Sequence, residues 1–545
     1  MASSLASVAA RVRDTGYTPG IRDLGALLDL FAEEDEELAR ETERAVLRIE
    51  ARHSARLVSE TVTRAQTATR PARGRLARLV GRLAANAPEA AVTEARTWLA
   101  AALGDNDPKT RHTAARALGK LRPADAAERE RLERALLEAW DRGSEEDRRA
   151  LADALGKVGS RAARERLAGA ASGLAQSATR AALMIDRTEA RSNPGAIDLT
   201  RALEGPVAIR FHARTGLETV VGAELGETWR PRLARAGVVD ARLEGPLARA
   251  AAIRTATHVG FPLDPVPVHD DLAEAIVRAI LEPRSLDILR TFTRTGGGPI
   301  RFRLAWTRGG HRRALAWKCA ELVAAATTEL VNDPTESTWE VVVEDHRDRV
   351  ALELVPRGFV DERFAYRKET VAASSHPSIA AALVRLVPPH ADDVVWDPFV
   401  GAGAELVERA RLGPYASLVG TDLESAAIAS ARTNLEAAGI TGARLEIADA
   451  ITFDPGEVSL IVTNPPMGRR VQRGTHGDLL ERFVDHAARV LVPGGALVWA
   501  VPDPVRLNAR AERAGLVLEK AFTVDMGGFP AELSIHRKPQ NESGH

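Results

Sequence analysis

The sequence predicts a multidomain chain: an N-terminal all-α solenoid, a middle α+β region and a C-terminal α/β domain with a mostly parallel sheet. Three observations carry this division. Similar helical segments recur with glycines 38 and 37 residues apart, at Gly81, Gly119 and Gly156. A turn-forming run, Ser192-Asn193-Pro194-Gly195, ends the helical texture. From about residue 370, short apolar runs alternate with helical stretches. At 545 residues the chain also exceeds what one hydrophobic core serves.

Residues 1–195 are rich in Ala, Leu, Arg and Glu, with apolar positions at helical spacing, as in Leu24, Leu27, Leu28 and Phe31. The stretch from Asp107 through Arg111 to Gly119 parallels that from Glu146 through Arg148 to Gly156, and a fainter copy ends at Gly81. Such a period fits stacked helix–turn–helix units, and the pattern resembles HEAT repeats.

Residues 205–370 change texture. Strands are expected at Val207–Ala213, Val238–Leu243 and Ile300–Trp306, with a hairpin from Thr338–Val343 and Val350–Val355. Helices are expected at Leu217–Leu225, Ala248–Thr257, Leu272–Ile280 and Ala314–Val331. This mixture implies small α+β units. Residues 371–540 form the third expected domain. Its strands are Asp393–Asp397, Ser417–Asp422, Arg444–Ala448, Ser459–Thr463 and Ala496–Val501, closed by an antiparallel hairpin from Leu516–Asp525 and Ala531–Arg537.

Composition narrows the function classes. Apolar content of 45% and charged content of 27% suit a soluble globular chain, and the net charge of −1 provides no global field for nucleic acid. A single cysteine, Cys319, excludes a disulfide framework and a multi-thiolate metal site, and it reads as a core thiol. The thirteen histidines show no metal-ligand spacing, so no metal is expected. The N-terminus lacks the charged start and apolar core of a secretory signal, and no run is long enough to span a bilayer. A cytoplasmic location without membrane contact is therefore expected. Seven lysines stand against sixty-seven arginines, so arginine is the default cation and arginine clusters weigh less.

The candidate site lies in residues 397–467. Gly401 and Gly403 follow a strand ending in Asp397, where only glycine lets the backbone approach a ligand closely. No third glycine stands at dinucleotide spacing, so the turn suits a ligand without a pyrophosphate. Asp422 and Asp449 end the next two strands. Asp422 can accept from ribose hydroxyls and Asp449 from an adenine amino group, although each acid alone could be a helix N-cap. Phe399, Leu423 and Ala450 complete the expected binding set. Asn464-Pro465-Pro466-Met467 ends a fourth strand. Two prolines fix φ and withhold backbone donors, leaving the Asn464 amide oxygen and the Pro465 carbonyl to accept from one exocyclic amine. Such catalysis is mostly positioning.

Residues 390–537 thereby resemble class I amino-methyltransferases with an N-P-P-aromatic motif, which implies a Rossmann-like fold and S-adenosylmethionine (SAM) held by Asp397, Phe399, Gly401, Gly403, Asp422, Leu423, Asp449, Ala450 and Asn464. Asn464, Pro465, Pro466 and Met467 would receive the amine; Met467 departs from the aromatic usual there. The Phe211–Leu225 stretch with Gly216, Glu218 and Glu224, then Ile253–Ala256, Asn332-Asp333-Pro334, and Phe364–Lys368 leading to His376-Pro377, resemble THUMP-domain RNA methyltransferases. That resemblance implies a ferredoxin-like plus THUMP-like middle region and structured RNA, above all tRNA, as partner. N2-methylguanosine is the implied product.

Residues 291–320 hold Arg301, Arg303, Arg312, Arg313 and Lys318 among seven cations, with no acid and with aromatic residues interleaved. This suits phosphates and exposed bases, and Arg367, Lys368, Arg469 and Arg470 are further candidate RNA contacts. A protein partner for the solenoid is also compatible with the repeats. Adenine N6 or a protein glutamine are alternative acceptors of the same chemistry, and an inactive scaffold is the non-enzymatic alternative.

Overall fold

The structure is a computed structural model that describes residues 2–14, 16–269, 271–308, 310, 312–371, 374–466 and 476–540. The chain divides into two compact units. The first comprises residues 1–194, 295–301 and 312–336; the second comprises 195–294, 302–311 and 337–545.

Among the described residues, the 1–194 part of the first unit carries the helices α1 (Ala2–Arg13), α2 (Leu24–Asp29), α3 (Glu36–Val46), α4 (Ser54–Thr67), α5 (Ala72–Ala84), α6 (Glu89–Ala102), α7 (Pro108–Leu118), α8 (Ala126–Arg142), α9 (Glu145–Val158), α10 (Arg161–Ala168) and α11 (Ala175–Ser192). Helices α5, α7, α9 and α11 pack in succession as one layer, and α4, α6 and α8 pack as the other. The recurring glycines explain the period. A Cβ on Gly81 would stand 2.6 Å from Ala117 Cβ, and one on Gly119 or Gly156 would stand 3.0 Å from Ala154 Cα or Ala181 Cα. Each glycine thus lets its helix approach the next in its layer. Asp107 caps α7, Ser144 and Asp147 form a capping box on α9, and Arg111 donates twice to Asp147 at 3.0 Å.

The segment 312–336, expected in the middle domain, belongs to this unit. Its helix, Arg313–Ala326, places Trp317 under the Arg187 guanidinium at 4.4 Å, and Arg191 makes a two-pronged bond to the buried Asp333. Cys319 is buried in that helix. The helix ends five residues before the expected Val331, and Leu330–Asn332 is a short strand.

In the second unit, one sheet carries the strands in the order Arg232–Arg235, Val238–Leu243, Val207–His212, His258–Pro262, Arg349–Pro356, Trp339–Asp345 and Phe302–Trp306. The α+β pieces therefore share a continuous sheet. The helix expected over 248–257 covers only Ala248–Ala251. Beyond it, the backbone N–H groups of Arg254 and Thr255 donate to the Glu224 carboxylate at 3.0 and 2.8 Å, which diverts the donors a helix would use.

The C-terminal sheet comprises β1 (Val394–Asp397), β2 (Ser417–Asp422), β3 (Arg444–Ile447), β4 (Val458–Thr463), β5 (Leu491–Val501), β6 (Val517–Asp525) and β7 (Pro530–Arg537). Their order is β3-β2-β1-β4-β5-β7-β6, with β7 antiparallel to both its neighbours and the other pairs parallel. Apolar clusters around Val395, Val462 and Leu533 and around Trp396, Phe483 and Trp499 cover its two faces. No helix among the described residues is long and apolar enough to cross a membrane.

Candidate active site

The strand order reverses at β1 and β4, so their carboxyl ends open a crevice between diverging connections. Asp397 ends β1 and is fully buried. Its Oδ1 accepts from Thr463 Oγ1 at 2.7 Å and from the Phe399 N–H at 3.2 Å. Its Oδ2 has no partner among the described residues. Burial, followed by the charge of Glu405, raises the Asp397 carboxyl well above its ordinary range.

The turn after Asp397 requires its glycines. Gly401 has φ +50° and Gly403 φ +81°, and a Cβ on Gly403 would meet Leu435 Cδ1 at 2.7 Å. Gly403 caps helix Ala404–Arg411, whose first turn carries Glu405. The Gly401 N–H donates to Asp422 Oδ2 at 3.0 Å, and Asp422 Oδ1 accepts from the Glu424 N–H at 3.0 Å. These bonds orient Asp422 while leaving each oxygen a second lone pair. Asp449 Oδ1 accepts from the Ile451 N–H at 3.0 Å, and Ala450 is buried.

Leu423 is 65% exposed and Ile447, the register partner of Asp422, is 60% exposed. Apolar side chains left open beside two acids at strand ends suit the faces of a planar ring. Ile447 was absent from the expected set, although its place at the end of β3 marks it. The Phe399 ring stands edge-on to Phe483, 5.3 Å away, and its N–H donates to Asp397 Oδ1.

Asn464 follows β4 and donates from Nδ2 to Ser375 Oγ at 2.9 Å. Ser375 Oγ in turn donates to Glu405 Oε1 in a short bond. Asn464 Oδ1 is buried without a partner among the described residues. The chain has directional logic: the carboxylate takes the serine proton, so the serine lone pairs receive the Asn464 NH2, and the amide oxygen faces away from Ser375. Burial raises the Glu405 carboxyl, against the opposing Ser375 bond. Ser375, Glu405 and Thr463 were not among the sequence candidates, and neither was Asn434. Asn434 accepts the N–H groups of Lys368 and Glu369 at 2.8 and 3.0 Å, and donates to the Glu369 and Ala402 carbonyls. Pro465 is buried and Pro466 exposed, while Met467, Arg469 and Arg470 lie outside the described residues.

The expected RNA contacts among the described residues fall in both units. Arg301 is 5% exposed and pairs with Glu336 at 3.4 Å, so it is a structural cation and no surface for phosphate. Arg303 spends its charge on Glu340. Arg312, Arg313 and Lys318 belong to the first unit; Arg367 and Lys368 belong to the second, and Arg313, Lys318 and Lys368 are exposed.

This fold and strand-end crevice define a methyltransferase domain. The family model described as "RMKL-like, methyltransferase domain" matches residues 365–531. Among curated proteins, the chain is similar to the U6 snRNA (guanine-N(2))-methyltransferase THUMPD2 of Bos taurus, with 30% identity over 186 residues, and to the tRNA (guanine(10)-N2)-dimethyltransferase of Methanocaldococcus jannaschii, with 28% identity over 145 residues. The matches cover 32% and 25% of this chain, and the chain spans 36% and 40% of those relatives. TrmN from Thermus thermophilus shares the fold, with a TM-score of 0.51, 24% identity, and coverage of 61% of this chain and all of that one.

Proposed function

We propose that this protein is a SAM-dependent RNA methyltransferase whose acceptor is the exocyclic N2 amine of a guanosine in structured RNA, tRNA before rRNA. The observation that carries this reading is the buried, unpartnered Asn464 oxygen, aimed by Ser375 and Glu405, at the crevice that holds the unpartnered Asp397 oxygen. The similarity to RNA guanine-N2 methyltransferases supports the substrate class.

The residues present fit the cofactor. Asp397 Oδ2 is an acceptor with no partner, and no cation bonded to it, among the described residues, which suits the amino group of a methionine moiety. Asp422 suits ribose hydroxyls, Leu423 and Ile447 the faces of adenine, and Asp449 its amino group. When bound, SAM supplies an electrophilic methyl group on a sulfonium. The protein's own part is to hold the acceptor. Asn464 Oδ1 and the Pro465 carbonyl accept the two N–H groups of one amine, which keeps its nitrogen directed at the methyl position. A paired guanine hides that amine, so the target base would be flipped from the stack. The helical unit is read as HEAT-like and the 205–370 region as THUMP-like.

The test is to incubate the purified protein with labelled SAM and total tRNA or rRNA from a strain lacking it, then identify the methylated nucleoside by mass. N2-methylguanosine that disappears in Asn464→Ala is the expected result. N6-methyladenosine would reassign the base, label in protein would reassign the substrate, and no label anywhere would end the reading.

A further inference from the structure

The helical unit carries a ladder of cations. Arg40 and Arg44 belong to α3, Arg78 and Arg82 to α5, and Arg116 to the end of α7, with Lys120 in the turn that follows. All six line one groove of about 580 Å³. Each pair is spaced i, i+4, which puts the members of the first two pairs on one helix face. The pairs recur at intervals of 38 residues, and Lys157 stands 37 residues beyond Lys120. The close approach of α5 to α7 at Gly81 and Ala117, both of which line the groove, sets successive pairs side by side.

Charge in this groove is poorly compensated. Its one lining acid is Glu43, which is 4% exposed and bonded to both Arg78 and Arg82. Arg40, Arg44, Arg116 and Lys120 are exposed and have no ion-pair partner among the described residues. Several exposed arginines elsewhere on the unit, such as Arg56, Arg149, Arg161 and Arg166, each pair with a nearby acid, while Arg131 and Arg134 on α8 are exposed and, like the groove cations, have no ion-pair partner among the described residues. Codon preference accounts for arginine as the cation, but not for an i, i+4 cation pair at the same place in three successive repeats; the next repeat holds Asp153 and Lys157 there.

We propose that this groove binds the phosphodiester backbone of RNA, as a contact surface separate from the methyltransferase domain. A regular row of guanidinium forks suits a polyanion of regularly spaced charges. The remaining lining residues are Gly81, Thr113 and Ala117, so the groove offers no aromatic or large aliphatic anchor of the kind that protein interfaces rely on. The proposal rests on the preceding reading only in choosing RNA over DNA.

The experiment uses the full chain and a fluorescein-labelled tRNA transcript, with affinity measured by anisotropy across a salt series. Arg44→Ala/Arg116→Ala/Lys120→Ala is compared with Arg131→Ala/Arg134→Ala/Arg142→Ala on α8, which removes the same charge outside the groove. The ladder variant is expected to bind at least about 10-fold more weakly at low salt, with the slope of log K against log salt reduced by about 2–3 for three lost phosphate contacts. The α8 variant should match wild type. Equal loss in both variants, or no change in the ladder variant, would overturn the proposal. So would polyglutamate that displaces the tRNA with equal affinity in wild type, which would mark an acidic protein segment as the occupant. Melting curves and SAM affinity check that each variant is folded. If wild type binds through the ladder yet methylates no RNA, the reading of the catalytic function fails while this inference stands.

Discussion

Replacing Asp397 by Asn should stabilise the cofactor-free protein while it weakens SAM binding. The Asp397 carboxyl is fully buried, near the Glu405 carboxyl, and its Oδ2 has no partner among the described residues. Its folded-state pKa is raised, so its contribution to stability is complete below the unfolded value near 3.8 and is lost as pH rises through the folded value. Over that window wild type should lose about 1.4 kcal/mol per pH unit relative to the Asn variant. Asn keeps an oxygen for Thr463 and Phe399 but buries an NH2, which returns about 1–3 kcal/mol. At pH 7.5 the Asn variant is expected to melt above wild type, and the gap between them should narrow as the pH falls. The same substitution removes the charge facing a cationic amine, worth about 1.5–3 kcal/mol, so SAM affinity should fall about 10–100-fold. Melting curves between pH 4.5 and 8 without SAM, with calorimetric titration of SAM, check both halves. An Asn variant that melts below wild type at pH 7.5, or that binds SAM as tightly, would refute the reasoning.

Three further outcomes are expected. Asn464→Ala should lower kcat about 100–1,000-fold at saturating SAM, as read by single-turnover methylation. Ser375→Ala and Glu405→Gln should each lower kcat about 10-fold, and the double variant should lose little more, because both act through the orientation of Asn464; an additive double-mutant cycle would separate them. Gly403→Ala should cost about 2 kcal/mol or more, since φ is +81° and the new Cβ meets Leu435, with denaturant midpoints as the measure.

The C-terminal sheet was legible because its strands are short apolar runs that end at acids or at the Asn464-Pro465-Pro466 turn. Asp397, Asp422, Asp449 and Asn464 could be named from those ends alone. Their supports could not. Ser375 and Glu405 stand 89 and 59 residues from Asn464 in sequence, and nothing local marks a serine as the link between an amide and a buried acid. The basic run at 291–320 misled for the same reason. Arg301 and Arg303 are answered by Glu336 and Glu340, acids that lie outside the run and meet it only in the folded chain. At 254–257 the helical pattern was overridden by the distant Glu224, which holds two backbone donors. Local pattern identified elements and strand-end chemistry, whereas pairings over tens of residues were set by tertiary packing.

The contacts of Gly81, Gly119 and Gly156 with the following alanines ask little of their neighbours: one residue without a side chain opposite one with a single methyl. A module that joins its neighbour on such terms can be duplicated or excised whole without redesign of the rest. The helical stack can then lengthen or shorten in steps of about 38 residues during evolution. In that sense its length is a countable, heritable quantity, adjusted by gene duplication while the C-terminal sheet and its crevice are left untouched.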